Sequence, residues 1–252
     1  MEEIATQVFW IGLLKIIGVN VVLSGDNAVV IALAARSLPP KQQKKAILWG
    51  AGAAVILRII LTVFAVALLT LPWLKIVGSL LLFWIGIKLL VPEEDTDNID
   101  SSDNLMAAIK TILIADLVMS LDNVIAVAAA AGGSMTLLIL GLAISIPLVV
   151  FGATLLVTLM ERYPVIITIG AALIGMVAGE MLVTDPALAG WLAGMGIQFN
   201  DGKPTIGELK LELIAGAIGA AIVVVWGLWL AKRQEAAAKP AESGEKTETG
   251  NP

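Results

Sequence analysis

Seven long apolar runs dominate this chain, and they restrict it to folds whose outer face meets lipid. A helix needs about 20 apolar residues to cross a hydrocarbon core. By that measure spans lie at roughly 9–35, 46–70, 73–90, 107–131, 135–159, 164–182 and 211–231. Hydrophobic residues fill 58% of the 252 positions and charged residues only 15%, more apolar than a water-facing surface sustains. The first run is not expected to be a secretory signal. Glu2 and Glu3 precede it, and it far exceeds an h-region of about 7–15 residues. The formal net charge of −5 describes solvated segments, since many acids sit in residues 93–103 and in the tail. Nothing points to nucleic acid as a partner; the lipid bilayer is one.

Basic residues near the span ends set the orientation. Arg36, Lys41, Lys44, Lys45, Lys88, Lys110, Arg162, Lys232 and Arg233 fall on one side, against Lys75, Lys203 and Lys210 on the other. The first side is expected in the cytoplasm, with the N-terminus outside and the C-terminus inside a plasma membrane.

An internal repeat organises the runs. Val22-Leu23-Ser24-Gly25-Asp26-Asn27-Ala28-Val29-Val30 lines up with Val118-Met119-Ser120-Leu121-Asp122-Asn123-Val124-Ile125-Ala126, and at the same offset Asn20 faces Asp116. Residues 78–90 lie more loosely on 170–182, setting Lys88 against Glu180. Each copy holds an odd number of spans, so the second enters the membrane upside down, as in many secondary transporters. The expected fold is an all-α membrane protein with seven transmembrane helices: a first three-helix repeat over 1–90, an acidic cytoplasmic loop over 91–106, a second, inverted three-helix repeat over 107–182, an external loop over 183–210, a seventh helix over 211–231 and a disordered cytoplasmic tail over 232–252.

Asp26, Asp116 and Asp122 lie deep in these spans. A charge at the bilayer centre costs about 2.5–3.5 kcal/mol on insertion scales, so intramembrane acids mark a site. Asn20 and Asn27, seven apart, share a helix face, as do Asp116 and Asn123, with Ser24 and Ser120 near it. Asp26 and Asp122 reach that face only through a kink, which Gly25 favours in the first copy and Leu121 does not in the second. The chain has no Cys and no His, so any metal must be held by oxygen, which suits manganese, magnesium or calcium over zinc and copper. Asp26, Asn27, Asp116, Asp122, Asn123, Asn20, Ser24 and Ser120 form the candidate cation site. Arg58, mid-span, reads as a partner for Asp26 or Asp122. The glycines of the spans read as close helix contacts rather than phosphate loops.

At its paired Ser-x-Asp-Asn motifs the sequence resembles the TerC family of integral membrane proteins, within the wider LysE transporter superfamily, over roughly residues 6–185. Met119 stands where many members carry Phe and Asn123 where many carry Ser, features similar to the YjbE-like branch. The resemblance implies manganese efflux; the residues themselves imply only a hard-cation site between repeats. The expectation is therefore a transporter working by alternating access, not an enzyme, and without a resident cofactor. Carboxylates that exchange metal for protons make proton antiport natural. Export of another solute (an amino acid or calcium) and a membrane scaffold assisting protein insertion stand as alternatives, and self-association as a homo-oligomer is left open.

Overall fold

Apolar runs punctuated by Pro, Ser, Asp and Gly become helices whose ends sit at those residues. In a computed structural model, residues 7–64, 71–91, 101–132, 134–200, 203–207 and 209–238 are described. The helices are α1 (Gln7–Leu23), α2 (Gly25–Ala35), α3 (Pro40–Val63), α4 (Leu74–Leu90), α5 (Ser101–Ala131), α6 (Met135–Arg162), α7 (Val165–Val183), α8 (Pro186–Gly194) and α9 (Leu211–Ala238). Pro40 opens α3 and Pro186 opens α8, where the missing N–H would be unpaired in any case. The Ser134 hydroxyl caps α6 by accepting from the Leu137 N–H at 3.3 Å.

Among the described residues, five helices are long and apolar enough to cross a membrane, and α1 with α2 makes a sixth if that bent pair is one span. With 17 residues, α4 rises about 25 Å, at the lower limit of the length that crosses a bilayer. The chain is thus a multi-pass, predominantly helical protein with five or six clear spans among the described residues, where seven were expected.

The two segments that carry the Ser-x-Asp-Asn motifs make matching helix contacts. α3 packs along α5, as α1 and α2 pack along α6; α4 meets α5, as α2 meets α7; and α4 packs on α7. Burial centres on α2, where Asn27, Ala28 and every residue from Val30 to Ala35 are buried. Outward faces stay apolar, as on α6 (Ile144, Leu148, Phe151, Leu155) and α9 (Ile218, Val225, Trp226, Trp229), which fits lipid and not water. The glycine reading holds where α7 meets α9. A Cβ on Gly175 would lie 2.6 Å from the Gly219 carbonyl oxygen, and one on Gly179 would overlap the Ala215 carbonyl, so these backbones touch.

Several expected boundaries move. The segment 183–210, expected as a loop, folds into α8 and a three-stranded antiparallel sheet of β1 (Gln198–Asn200), β2 (Lys203–Ile206) and β3 (Leu209–Lys210). The chain is therefore not purely α. The β2–β3 pair follows from the turn at Gly207, whose φ is +63°. The acidic loop gives way to helix at Ser101, and α9 continues to Ala238. The rest of that loop, 92–100, and of the tail, 239–252, lie outside the described residues.

Asp185 ties α8 to the start of α4. Its carboxylate, 2% exposed, accepts N–H groups from Trp73, Lys75, Ile76 and Ala187 at 2.7–3.1 Å. Both helix N-termini thereby find an anion for their unpaired donors. At the opposite end of α4, Arg36 donates to the Leu89 carbonyl at 2.9 Å. Lys75 and Arg36 thus sit at opposite ends of α4.

Candidate functional site

The first motif breaks its helix. Ser24 leaves helical geometry (φ −107°, ψ 3°) between α1 and α2, and the axis bends by 49°. Gly25 permits the break. Backbone groups released inside a bilayer must find partners in the protein. One does so across the repeat, since the Asn123 amide donates to the Leu23 carbonyl at 3.3 Å. The second motif does not break; α5 runs unbroken through Leu121.

Four equivalent residues of the two motifs meet at one guanidinium. Asn20 and Ser24 are one turn apart, with the Ser24 hydroxyl donating to Asn20 Oδ1 at 3.3 Å. Asp116 and Ser120 repeat the pattern on α5, the Ser120 hydroxyl donating to Asp116 Oδ2 at 3.2 Å. Arg58 enters from α3 and is 3% exposed. Its Nε donates to Ser120 Oγ at 3.0 Å, its Nη1 to Asn20 Oδ1 at 2.7 Å and Ser24 Oγ at 3.0 Å, and its Nη2 to Asp116 Oδ1 at 2.6 Å. The Asn20 amide in turn donates to the hydroxyl of Ser145 on α6. Each copy thus presents a polar residue (Asn20 or Asp116) to a partner on the second long helix of the other copy. The pairing is neutral with neutral (Asn20 with Ser145) and charged with charged (Asp116 with Arg58).

The expected site residues divide accordingly. Asn20, Ser24, Asp116 and Ser120 gather around Arg58, whose ion-pair partner is Asp116 and neither Asp26 nor Asp122. Asp26 is half-buried at the first turn of α2 and accepts the Asn27 N–H at 2.9 Å. It therefore serves its own helix start instead of the cluster. Asn123 spends its amide on the helix break. The side chain of Asp122 lies outside the described residues. Among those that are described, no three acidic side chains come together. Asn27 is 3% exposed, yet its amide oxygen and nitrogen meet no hydrogen-bond partner among the described residues. It borders a cavity of about 10 Å³, shared with Arg58, Asp116, Ile31, Val55 and Val149, which is room for about one water-sized body. Sequence reasoning missed Ser145 and Asp185. The signal for the first was a hydroxyl two residues before an intrahelical proline, Pro147; the signal for the second was an Asp-Pro pair at a helix start.

With this geometry established, comparison with known proteins adds a family. The model of the Integral membrane protein TerC family matches residues 5–235. The chain belongs to the TerC family. It is 45% identical over 188 residues to the membrane protein YjbE of Bacillus subtilis, covering 75% of this chain and 86% of that one. A second relative, the membrane protein YceF of the same organism, is 28% identical over 190 residues, covering 71% of this chain and 74% of its own. The inner membrane protein YoaE of Escherichia coli is 32% identical over 145 residues, half of this chain and 28% of its own length. No solved structure matches the TerC chain.

Proposed function

We propose that this TerC protein is a secondary transporter that carries a hard divalent cation, manganese foremost, out of the cytoplasm. The observation that carries the reading is the convergence of both motif copies on one positive charge inside the bundle. A ring of oxygens that holds a buried guanidinium is a ring built for a cation. Its members are a carboxylate (Asp116), the amide carbonyl of Asn20 and the hydroxyls of Ser24 and Ser120, with Asn27 beside them. Such donors suit hard divalent ions. Ionisable residues at bilayer depth are costly to bury and commonly mark ion pathways, which favours ion passage for this ring.

The exchangeable packing of the two segments supports a rocking, alternating-access motion around this point, within a LysE-type inverted repeat of seven helices. The bend at Ser24 is the natural hinge in the first copy. In this reading the end bearing Arg36 and Lys88 faces the cytoplasm, and manganese comes from the TerC resemblance. The test is efflux from proteoliposomes loaded with manganese, calcium or lysine. Manganese should leave fastest. Loss of lysine without manganese movement would replace this reading with solute export, and no movement of any of them would end it.

A further inference from the structure

We infer that Arg58 is a tethered competitor of the transported cation: guanidinium and ion use the same oxygens, so Arg58 withdraws when the ion binds and expels it on returning. The inference rests on the transport reading and specifies how that same site is emptied.

Arg58 occupies the oxygens a cation would need, at 2.6–3.0 Å from Asp116, Asn20, Ser24 and Ser120. With it in place the ring holds one carboxylate against one guanidinium, both about 95% buried. A divalent ion added beside it would put three positive charges against that carboxylate in a low-dielectric interior, an arrangement Coulomb's law opposes strongly. The adjoining cavity of about 10 Å³ has room for a water-sized body but not for an ion with its water shell, so full coordination by the ring waits on the departure of Arg58. Withdrawal of Arg58 releases all four oxygens together, and the neutral ring becomes an anionic one that attracts metal.

The Asn27 amide marks the approach. It is the buried polar side chain of this cluster that Arg58 leaves unpaired, and it borders the cavity next to Asp116. An incoming ion finds there an oxygen acceptor without having to displace a hydrogen bond. Such a foothold lets binding and Arg58 departure proceed in steps.

A resident competitor weakens cation binding. Each charge-assisted hydrogen bond corresponds to roughly a tenfold change or more in an equilibrium constant. Arg58→Gln should therefore bind manganese at least about tenfold more tightly than the parent. Release should then limit turnover: net manganese efflux from vesicles falls, while exchange of radiolabelled for unlabelled manganese continues. Arg58→Lys, which retains a cation without the guanidinium fork, should restore part of the net efflux that Arg58→Gln loses.

Full-length protein in lipid nanodiscs gives the binding constants, and the same preparations in liposomes give the fluxes. A measurement on the unaltered chain guards against failure of Arg58→Gln to fold. The sequence has four arginines, Arg36, Arg58, Arg162 and Arg233, so the Nε–H signals of nitrogen-labelled protein are few enough to assign. Saturation with magnesium, a diamagnetic hard ion, should speed water exchange at Arg58 Nε–H and leave Arg162 and Arg233 unchanged. Equal or weaker manganese binding by a folded Arg58→Gln, or magnesium binding that leaves Arg58 protected, would overturn the competitor and spare the transporter. Absence of divalent-cation binding by the unaltered chain would overturn both.

Discussion

Asn27→Leu separates a residue kept for the fold from one kept for a ligand. Leucine has the same branched heavy-atom skeleton as asparagine, and the neighbouring cavity of about 10 Å³ admits its extra hydrogens. Asn27 is 3% exposed with both amide atoms unpaired among the described residues. A buried polar group left without a partner costs about 1–3 kcal/mol. Replacing it with an apolar group should therefore raise stability by about 1–3 kcal/mol in the metal-free protein. Manganese should act the other way. At 100 times its dissociation constant a ligand stabilises the folded state by about 2.7 kcal/mol, and this gain should shrink or vanish in the variant. Unfolding in detergent, followed by tryptophan fluorescence with and without manganese, measures both quantities. A variant destabilised by more than about 1 kcal/mol without metal would mean that Asn27 holds the fold together. One that kept the full manganese effect would mean that its amide does not meet the ion.

Five further substitutions, grouped in three comparisons, test other contacts. Asp116→Asn leaves the Arg58 guanidinium buried without its ion-pair partner and should destabilise by about 3–5 kcal/mol, whereas Asp26→Asn, on a half-buried helix start, should stay within about 1 kcal/mol of the parent; denaturant titration ranks them. Gly179→Val drives a side chain into the Ala215 backbone and should cost at least about 1–3 kcal/mol; Gly52→Ala, with no neighbour within 4 Å of its Cβ, is the neutral control, and yield of monodisperse protein compares the pair. Asp185→Ala strips an acceptor from four backbone N–H groups and should cost about 1–3 kcal/mol, with faster protease cutting between α8 and α9 as the local readout.

Period and length in the sequence were enough to place most of the helices, because an apolar run of bilayer length has few other fates. Where expectation and structure part, the reason is local. At 183–210, strands of two to four residues are too short to set up a legible alternation, and they exist by pairing with each other. The helical start at Ser101 was hidden because Ser101, Ser102 and Asp103 read equally well as loop or as a helix N-terminus. The break in the first motif was legible at Gly25. Its absence in the second was legible too, since Leu121 offers no reason to leave the helix.

The site was legible as a list of oxygens but not as a set of partnerships. Repeat alignment singled out Asn20, Ser24, Asp116 and Ser120, and these four converge. Alignment also put Asp26 and Asp122 first, because a carboxylate in the more similar stretch looks like the stronger ligand. A helix that breaks at Ser24 turns Asp26 into the first-turn acid of a new helix, where the backbone N–H of Asn27 already engages it. The very feature expected to bring Asp26 into the ring thus provides it with a different role. Arg58 lies outside both motif stretches, so the repeat alone could not assign its partner. The choice falls to Asp116 because the neutral position Asn20 has a neutral neighbour in Ser145, and a guanidinium is stable in lipid only where a carboxylate meets it. Charge in this ring therefore follows from the asymmetry between the copies: Asn at one position and Asp at its repeat counterpart leave the ring a single negative charge, which one arginine can neutralise.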